Sequence, residues 1–330
     1  MKPHIQLFAL GGTISAHHQL RDELRQYRTG HYSAEQLIAA LPELQQLASI
    51  GIEQLDNVTS TAVGWQHWLN LKQRLEQCFA DGADGAVITH GTNTLEETAY
   101  FLHLTLNSDK PVVLTGSQRP FSALGTDAPL NLLNAVRVAS APASKGLGVL
   151  VVMNDKIYSA RDVSKTHSYH VESFQAPKNG PLGSVDPDRQ VRFSHLPARR
   201  HTTDSQLCRF ELPAAAPYVP ILFSHAGADE RLLLSLLQHE RPDGLVLAGT
   251  GAGRCSPQEE IAVARARSMD IPVVMASRLA SGRILELECY EDLQLLAADD
   301  LPPHKARILL LLAIAAGMNL QQAKDLFASH

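Results

Sequence analysis

Cysteine is scarce: the chain has four in 330 residues, at positions 78, 208, 255 and 289, and no C-x-x-C pair among them. A disulfide framework is unnecessary at this length, and isolated thiols fit a reducing compartment, so a cytoplasmic protein is expected. Positive charge is also short. The net charge is -5, and the one compact basic run is Arg199-Arg200-His201, too small for the clustered basic face that phosphate binding needs. No apolar run is long enough for a membrane span; the longest, residues 308–316, reads as a buried helix. The apolar start, residues 5–10, stops at Gly11-Gly12, too short for a secretory leader. A nucleic-acid partner and a membrane location are therefore not expected. A full G-x-G-x-x-G loop is missing, which argues against a nicotinamide site, and H-E-x-x-H is missing among 15 histidines, so no metal is expected.

What the chain has is ordinary globular composition, 45% hydrophobic and 19% charged, at a length that allows two domains. Apolar runs of strand length (residues 5–9, 86–89, 112–115, 148–154, 221–223, 245–248 and 273–276) alternate with segments of helical period (65–79, 95–106, 130–139, 230–239, 258–269 and 304–316). Ser33-Ala34-Glu35-Gln36 has the form of a capping box opening a further helix. The strand runs lack strict in/out alternation, as expected where helices cover both faces of a parallel sheet. The rhythm breaks between Pro177 and Pro217, rich in proline and glycine. The expectation is a two-domain α/β fold: a larger N-terminal domain with a mostly parallel sheet over residues 1–195, a linker over 196–216, and a smaller α/β domain over 217–330.

Polar residues that follow directly on strands are informative, because sites in parallel sheets form at the strands' carboxyl ends. Three segments qualify. In Leu10-Gly11-Gly12-Thr13-Ile14-Ser15, the glycines allow a sharp turn that brings amide N–H groups near an oxyanion, with the Thr13 hydroxyl beside it. In Thr89-His90-Gly91-Thr92-Asn93-Thr94-Leu95-Glu96-Glu97-Thr98, a second Gly-Thr sits at a helix start whose N–H groups favour an anion, and Thr94 with Glu97 reads as a capping pair. In Ala160-Arg161-Asp162-Val163-Ser164-Lys165-Thr166, a desolvated Lys165 would have the lowered pKa needed to take a proton from a hydroxyl; alone, it reads as a solvated surface lysine.

Together these segments resemble the bacterial-type L-asparaginase/glutaminase family. The likeness rests on Ala9-Leu10-Gly11-Gly12-Thr13-Ile14, on residues 88–100, on Asp109-Lys110-Pro111-Val112-Val113, on residues 148–155, on Arg161-Asp162-Val163-Ser164-Lys165-Thr166 and on residues 196–202. It covers nearly the whole chain, in order. The resemblance implies a cofactor-free hydrolysis of a small carboxamide, in which Thr13 attacks the amide carbon and an acyl-threonine ester is then hydrolysed. It implies that Tyr27, on a mobile loop, assists Thr13, and that Thr92 and Lys165 form a second hydroxyl-amine pair. Gly12, Ser60, Thr61, Gly91, Asn93 and Ser117 fall at substrate-binding positions, with Ser60 on the substrate carboxylate and Ser117 near the amide. It also implies a tetramer of close dimers, or a dimer, in which a neighbour supplies Glu286 or Glu288.

Three positions depart from the family pattern. Asn93 stands where aspartate is familiar, Thr61 where many relatives have glutamine, and Gly251-Ala252-Gly253 where many have Gly-Asn-Gly. The family uses these positions largely to hold an α-ammonium group. Loss of the carboxylate removes a charge-assisted hydrogen bond of about 1.5–3 kcal/mol and an anion that would keep Lys165 protonated. Hydrolysis of L-asparagine, of an amide or lactam without a free α-ammonium, and silent binding of an amino acid are thus the alternatives.

Overall fold

The computed structural model describes residues 2–330. The chain divides into two compact units, one running through Cys208 and the other spanning Arg209–His330.

In the first unit the strands are β1 (His4–Gly11), β2 (Ser49–Val58), β3 (Gly85–Thr89), β4 (Val112–Thr115), β5 (Val149–Met153), β6 (Lys156–Ser159), β7 (Ser164–Lys165), β8 (Phe174–Gln175), β9 (Gly183–Val185) and β10 (Val191–Phe193). Eight of them form one sheet in the order β10-β9-β6-β5-β4-β3-β1-β2, while β7 and β8 pair as a separate ribbon. From β2 to β5 all neighbours are parallel, and β6, β9 and β10 continue the sheet antiparallel. The sheet is therefore mixed. The change of direction is written at Asn154-Asp155, where φ of 52° and 62° gives a two-residue turn of the left-handed kind that joins β5 to β6.

The central strands β3, β4 and β5 are buried at every residue, which explains their unbroken apolar sequences. β2 has no counterpart among the sequence-predicted strands. It lies at the sheet's edge and is only partly buried, so polar Glu53, Gln54, Asp56 and Asn57 are tolerated there. Helices α1 (Ala34–Ala39), α2 (Leu44–Leu47), α3 (Trp65–Ala80), α4 (Leu95–Thr105) and α5 (Ala128–Ser140) belong to this unit. Ser33 and Gln36 form the expected reciprocal cap of α1. The start of α4 differs from expectation: Thr94 makes no side-chain cap, because its hydroxyl donates to the Ser60 carbonyl at 2.6 Å.

Residues 196–208, read from the sequence as linker, fold with the first unit. Leu207 is fully buried, Thr202 and Ser205 are buried, and the His201 ring lies 4.9 Å from that of His103. The proline and arginine content of this stretch conceals two short 3₁₀ turns, Thr202–Asp204 and Gln206–Arg209. The second unit has a four-stranded parallel sheet in the order β11 (Ile221–Phe223), β12 (Leu245–Gly249), β13 (Val273–Ser277), β14 (Leu296–Ala297). Its helices are α6 (Arg231–His239), α7 (Pro257–Arg267), α8 (Pro303–Ala315) and α9 (Leu320–Ser329), and its apolar centre includes Leu245, Leu247, Val263, Val273 and Met275. No helix among the described residues is long and apolar enough to cross a membrane.

One backbone approach sets the geometry at the ends of β1 and β3. Gly12 has φ 88° and ψ -167°, and a Cβ built on it would stand 2.2 Å from the Gly91 Cα. That conformation is open essentially to glycine alone. Gly12→Ala is expected to cost roughly 2–5 kcal/mol from strain and overpacking together. The check is the urea midpoint of the variant against the parent; an unchanged midpoint would show that the two loops separate freely.

Candidate active site

β1, β2 and β3 run parallel, so their carboxyl ends open on the same edge of the sheet. Past β1, Gly12 donates its N–H to the Val58 carbonyl at 3.0 Å, and a single 3₁₀ turn, Thr13–Ser15, follows. Thr13 is 8% exposed, and its hydroxyl lies 3.1 Å from the Tyr27 hydroxyl. Tyr27 sits on an irregular loop closed at its base by paired backbone hydrogen bonds between His17 and Arg28, 3.0 Å each. The loop is tied down further by Leu124 N–H donating to the Arg21 carbonyl, and by His18 N–H donating to Ser122 Oγ.

Past β3, Gly91, Thr92 and Asn93 line the same cleft, which has a volume of about 600 Å³. Ser60, past β2, is buried; its Oγ accepts the Asn93 N–H at 3.2 Å. The fourth contribution comes from the β7–β8 ribbon. Lys165 Nζ donates to Thr92 Oγ1 at 2.8 Å and to Asn93 Oδ1 at 2.9 Å. Glu96, buried in the first turn of α4, anchors the ribbon: it accepts the Lys165 backbone N–H at 3.0 Å and the Ser164 hydroxyl at 2.8 Å.

Lys165 is held below its ordinary pKa, first because burial penalises the ammonium and only then offset by the charge of Glu96. The direction is the one expected, but burial leads, with a neutral amide at position 93 adding no opposing anion. Beneath the site, His90 is fully enclosed and its pKa is driven down to about 4 by desolvation. It is neutral, with Nδ1–H donating to the Gly91 carbonyl at 2.7 Å and Nε2 accepting from the Thr98 hydroxyl at 3.0 Å. Thr98 in turn accepts from Trp68 Nε1 at 2.9 Å, so a chain of donors fixes the imidazole's tautomer and the Gly91 peptide.

The structure thus brings Gly12, Thr13, Tyr27, Ser60, Gly91, Thr92, Asn93 and Lys165 onto one cleft. Within the first unit it places Thr61 and Ser117 off that cleft, while Glu286 and Glu288, which the resemblance assigns to a neighbouring copy's cleft, belong to the second unit. Thr61 is exposed, its hydroxyl 3.2 Å from that of Thr59. Ser117 is fully buried and donates to the Arg119 carbonyl at 2.7 Å; the lining position is taken by Gln118 instead. In that unit Glu286 and Glu288 line a cavity of about 640 Å³, and Glu286 pairs with Lys324 at 2.7 Å. Sequence reasoning also missed the lining residues Leu24, Arg25 and Tyr169, and the role of Glu96 in holding the ribbon. For Glu96, an acidic residue in a helix's first turn is too common a signal to single out.

Such a cleft sets a shielded hydroxyl, a partner phenol and a desolvated amine together on an α/β scaffold, groups suited to the chemistry of an amide hydrolase. Comparison with known proteins narrows the class. Residues 4–199 match the family model "Asparaginase, N-terminal", and residues 218–327 match "Glutaminase/Asparaginase C-terminal domain". The chain is 39% identical over 329 residues to L-asparaginase 2 of Bacillus subtilis, covering 99% of this chain and 87% of that protein. It is 37% identical over 326 residues to a probable periplasmic L-asparaginase of Haemophilus influenzae, covering 98% and 90%. The crystal structure of a probable cytoplasmic L-asparaginase from Campylobacter jejuni superposes over all of both chains with TM-score 0.95 at 36% identity. The chain belongs to the asparaginase family.

The His90 geometry carries a stability consequence. A folded-state pKa near 4, below the ordinary 6.5, means that the unfolded chain takes up the proton first as pH falls. The stabilisation is complete above about pH 6.5 and is lost as pH drops through about 4, a loss of about 3 kcal/mol. His90→Asn should lack this part of the acid dependence. Urea denaturation of both proteins at pH 7 and pH 4.5 tests it, and an equal loss in the two would refute it.

Proposed function

We propose that the protein is an asparaginase-type amidohydrolase that hydrolyses a small carboxamide, such as L-asparagine, to the acid and ammonia, with Thr13 as nucleophile. The observation that carries the reading is the pairing of Lys165 Nζ with Thr92 Oγ1 at 2.8 Å on the cleft that also holds Thr13 and Tyr27. Hydroxyl groups attack an amide poorly until a neighbour takes their proton, and here each hydroxyl has its own polar partner.

In the reaction we propose, Thr13 Oγ1 bonds to the amide carbon while its proton passes, by way of the Tyr27 hydroxyl, to the departing nitrogen. The C–N bond breaks, ammonia leaves, and an acyl-threonine ester is left. Water then attacks the ester. Neutral Lys165, through Thr92, takes the water's proton and returns it as Thr13 Oγ1 leaves, giving the free acid. Backbone N–H groups around Gly12 and Gly91 are the donors suited to the developing oxyanion. Ser60 is suited to the substrate's carboxylate, and no cofactor enters.

A cytoplasmic setting and assembly as a dimer or tetramer belong to the same proposal. The four free cysteines and the cytoplasmic designation of the Campylobacter jejuni neighbour favour the first, whereas the Haemophilus influenzae relative is named as periplasmic. The second rests on the family likeness over both domains.

Two measurements test the mechanism. Thr13→Ala and Lys165→Met should each lower kcat by roughly 10³-fold or more with little change in the thermal midpoint. Retention of a tenth of the activity in Thr13→Ala would remove threonine as nucleophile. A base that works neutral in ester hydrolysis makes kcat, with deacylation limiting, rise with pH through the lowered pKa of Lys165. Asn93→Asp adds an anion beside Nζ, raises that pKa and should move the acidic limb to higher pH. A limb that stays in place, or moves down, counts against Lys165 as the base.

A further inference from the structure

Thr13 and Tyr27 stand on different segments, and the contact between them has little slack. Their hydroxyl oxygens are 3.1 Å apart, already past the usual span of about 2.5–3.0 Å for two hydroxyls. Proton transfer needs a reach of roughly 2.6–3.2 Å, so a small outward shift of the Tyr27 loop breaks the relay. The side chain that bridges the two segments is Asn57, near the end of β2. Its Oδ1 accepts the Ser15 hydroxyl at 3.1 Å, just beyond Thr13 in the chain, and its Nδ2 donates to the Gly30 carbonyl at 3.0 Å, just beyond Tyr27. The partners fix which way the amide faces, because a carbonyl only accepts and must meet the nitrogen.

The backbone on both sides is shaped to admit this one residue. Gly11, with φ 93°, passes so close that a Cβ on it would stand 2.8 Å from Asn57 Oδ1. Gly30, with φ 71°, comes as near from the loop, where a Cβ would stand 2.6 Å from the Asn57 carbonyl oxygen. Each glycine supplies a left-handed turn and the room for the approach. Ser15 is buried, and its hydroxyl is also within 3.0 Å of the Gly12 carbonyl. The Ser15 carbonyl in turn accepts the N–H groups of His31 and Tyr32, both at 2.9 Å, so the chain past Gly30 is fastened to the same turn. The His17–Arg28 bridge, by contrast, joins the two ends of the loop to each other.

We infer that Asn57 is a positioning residue for the hydrolysis: by bridging Ser15 and Gly30 it sets the separation of the Thr13 and Tyr27 hydroxyls. This rests on the amidohydrolase reading and adds to it a residue outside the described lining of the cleft. Asn57 touches neither hydroxyl, so its effect on the reaction passes through the phenol that it holds in place.

The test is a double-mutant cycle on ammonia release from L-asparagine by the full-length enzyme, with the parent, Asn57→Leu, Tyr27→Phe and the two combined. Leucine is near in shape to asparagine and makes neither bond. Asn57→Leu should lower kcat by roughly 10-fold or more, with KM within about 3-fold of the parent, as a displaced reacting group does. Tyr27→Phe should lower kcat by roughly 10²-fold. The combined variant should match Tyr27→Phe within about 2-fold, because no phenol is left to position. A combined variant that loses the full Asn57→Leu factor again overturns the positioning role and leaves the hydrolase standing. So does a parental kcat in Asn57→Leu, or a loss confined to KM. Tyr27→Phe as fast as the parent overturns the positioning role together with the part given to Tyr27, and a parent that releases no ammonia overturns the hydrolase reading itself. Should Asn57→Leu not fold, Asn57→Asp takes its place in the cycle with the same outcomes, since it keeps an acceptor for Ser15 and loses the donor to Gly30.

Discussion

Everything about the cleft depends on two backbones touching where no side chain intervenes. Gly12 and Gly91 close on each other tightly enough to exclude a methyl group, and a Cβ on Gly91 would in turn meet Ser60 at 2.8 Å. Threonines follow both glycines in the sequence, so one contact carries two hydroxyls to one place. Sheet pairing supplies the coarse alignment, because parallel neighbours end on the same side. The glycines supply the fine one. Below them, buried His90 acts as a polar strut that ties the Gly91 peptide to α3 and α4 through Thr98 and Trp68.

The amine arrives by a separate route. It does not come from the large sheet but from a two-residue ribbon, and its reach depends on Glu96 at the start of α4. This division has an electrostatic logic. Glu96 sits near enough to favour the ammonium, yet both its oxygens are occupied by ribbon donors, so burial prevails and the pKa falls. A carboxylate at position 93 would act on the same nitrogen from the other side. With Asn93 there, the balance of the amine rests on desolvation.

Much of this was legible in the sequence, for identifiable reasons. Runs such as residues 86–89 and 112–115 are buried on both faces and therefore carry an unbroken apolar signature. Helices α3 and α5 carry an apolar face at the 3.6-residue period and α8 an unbroken apolar run, so all three are placed within one or two residues. Edge strand β2 was hidden because half-buried positions accept polar residues, and the reversal at Asn154-Asp155 was overlooked although two turn-forming residues between apolar runs announce it. In the site, strand-end placement singled out the Gly-Thr pairs, and family likeness supplied Tyr27 and Ser60. Ser117 and Gln118 show the limit: adjacent residues on a loop point apart, and nothing in their spelling says which one faces the cleft. The capping role given to Thr94 failed for a similar reason, since its hydroxyl had a tertiary partner in the Ser60 carbonyl that local pattern cannot reveal.

The ribbon of β7 and β8 has one more consequence. Two residues per strand is a short ladder, far less cooperative than the eight-stranded sheet beside it. Its place is kept by the scaffold instead: Val163, Ser173 and Phe174 are buried, and the Phe174 carbonyl accepts the Tyr158 hydroxyl at 2.8 Å. A ribbon too short to stand by itself therefore inherits its rigidity from the sheet beside it, so the amine is held as firmly as the strand that carries Tyr158.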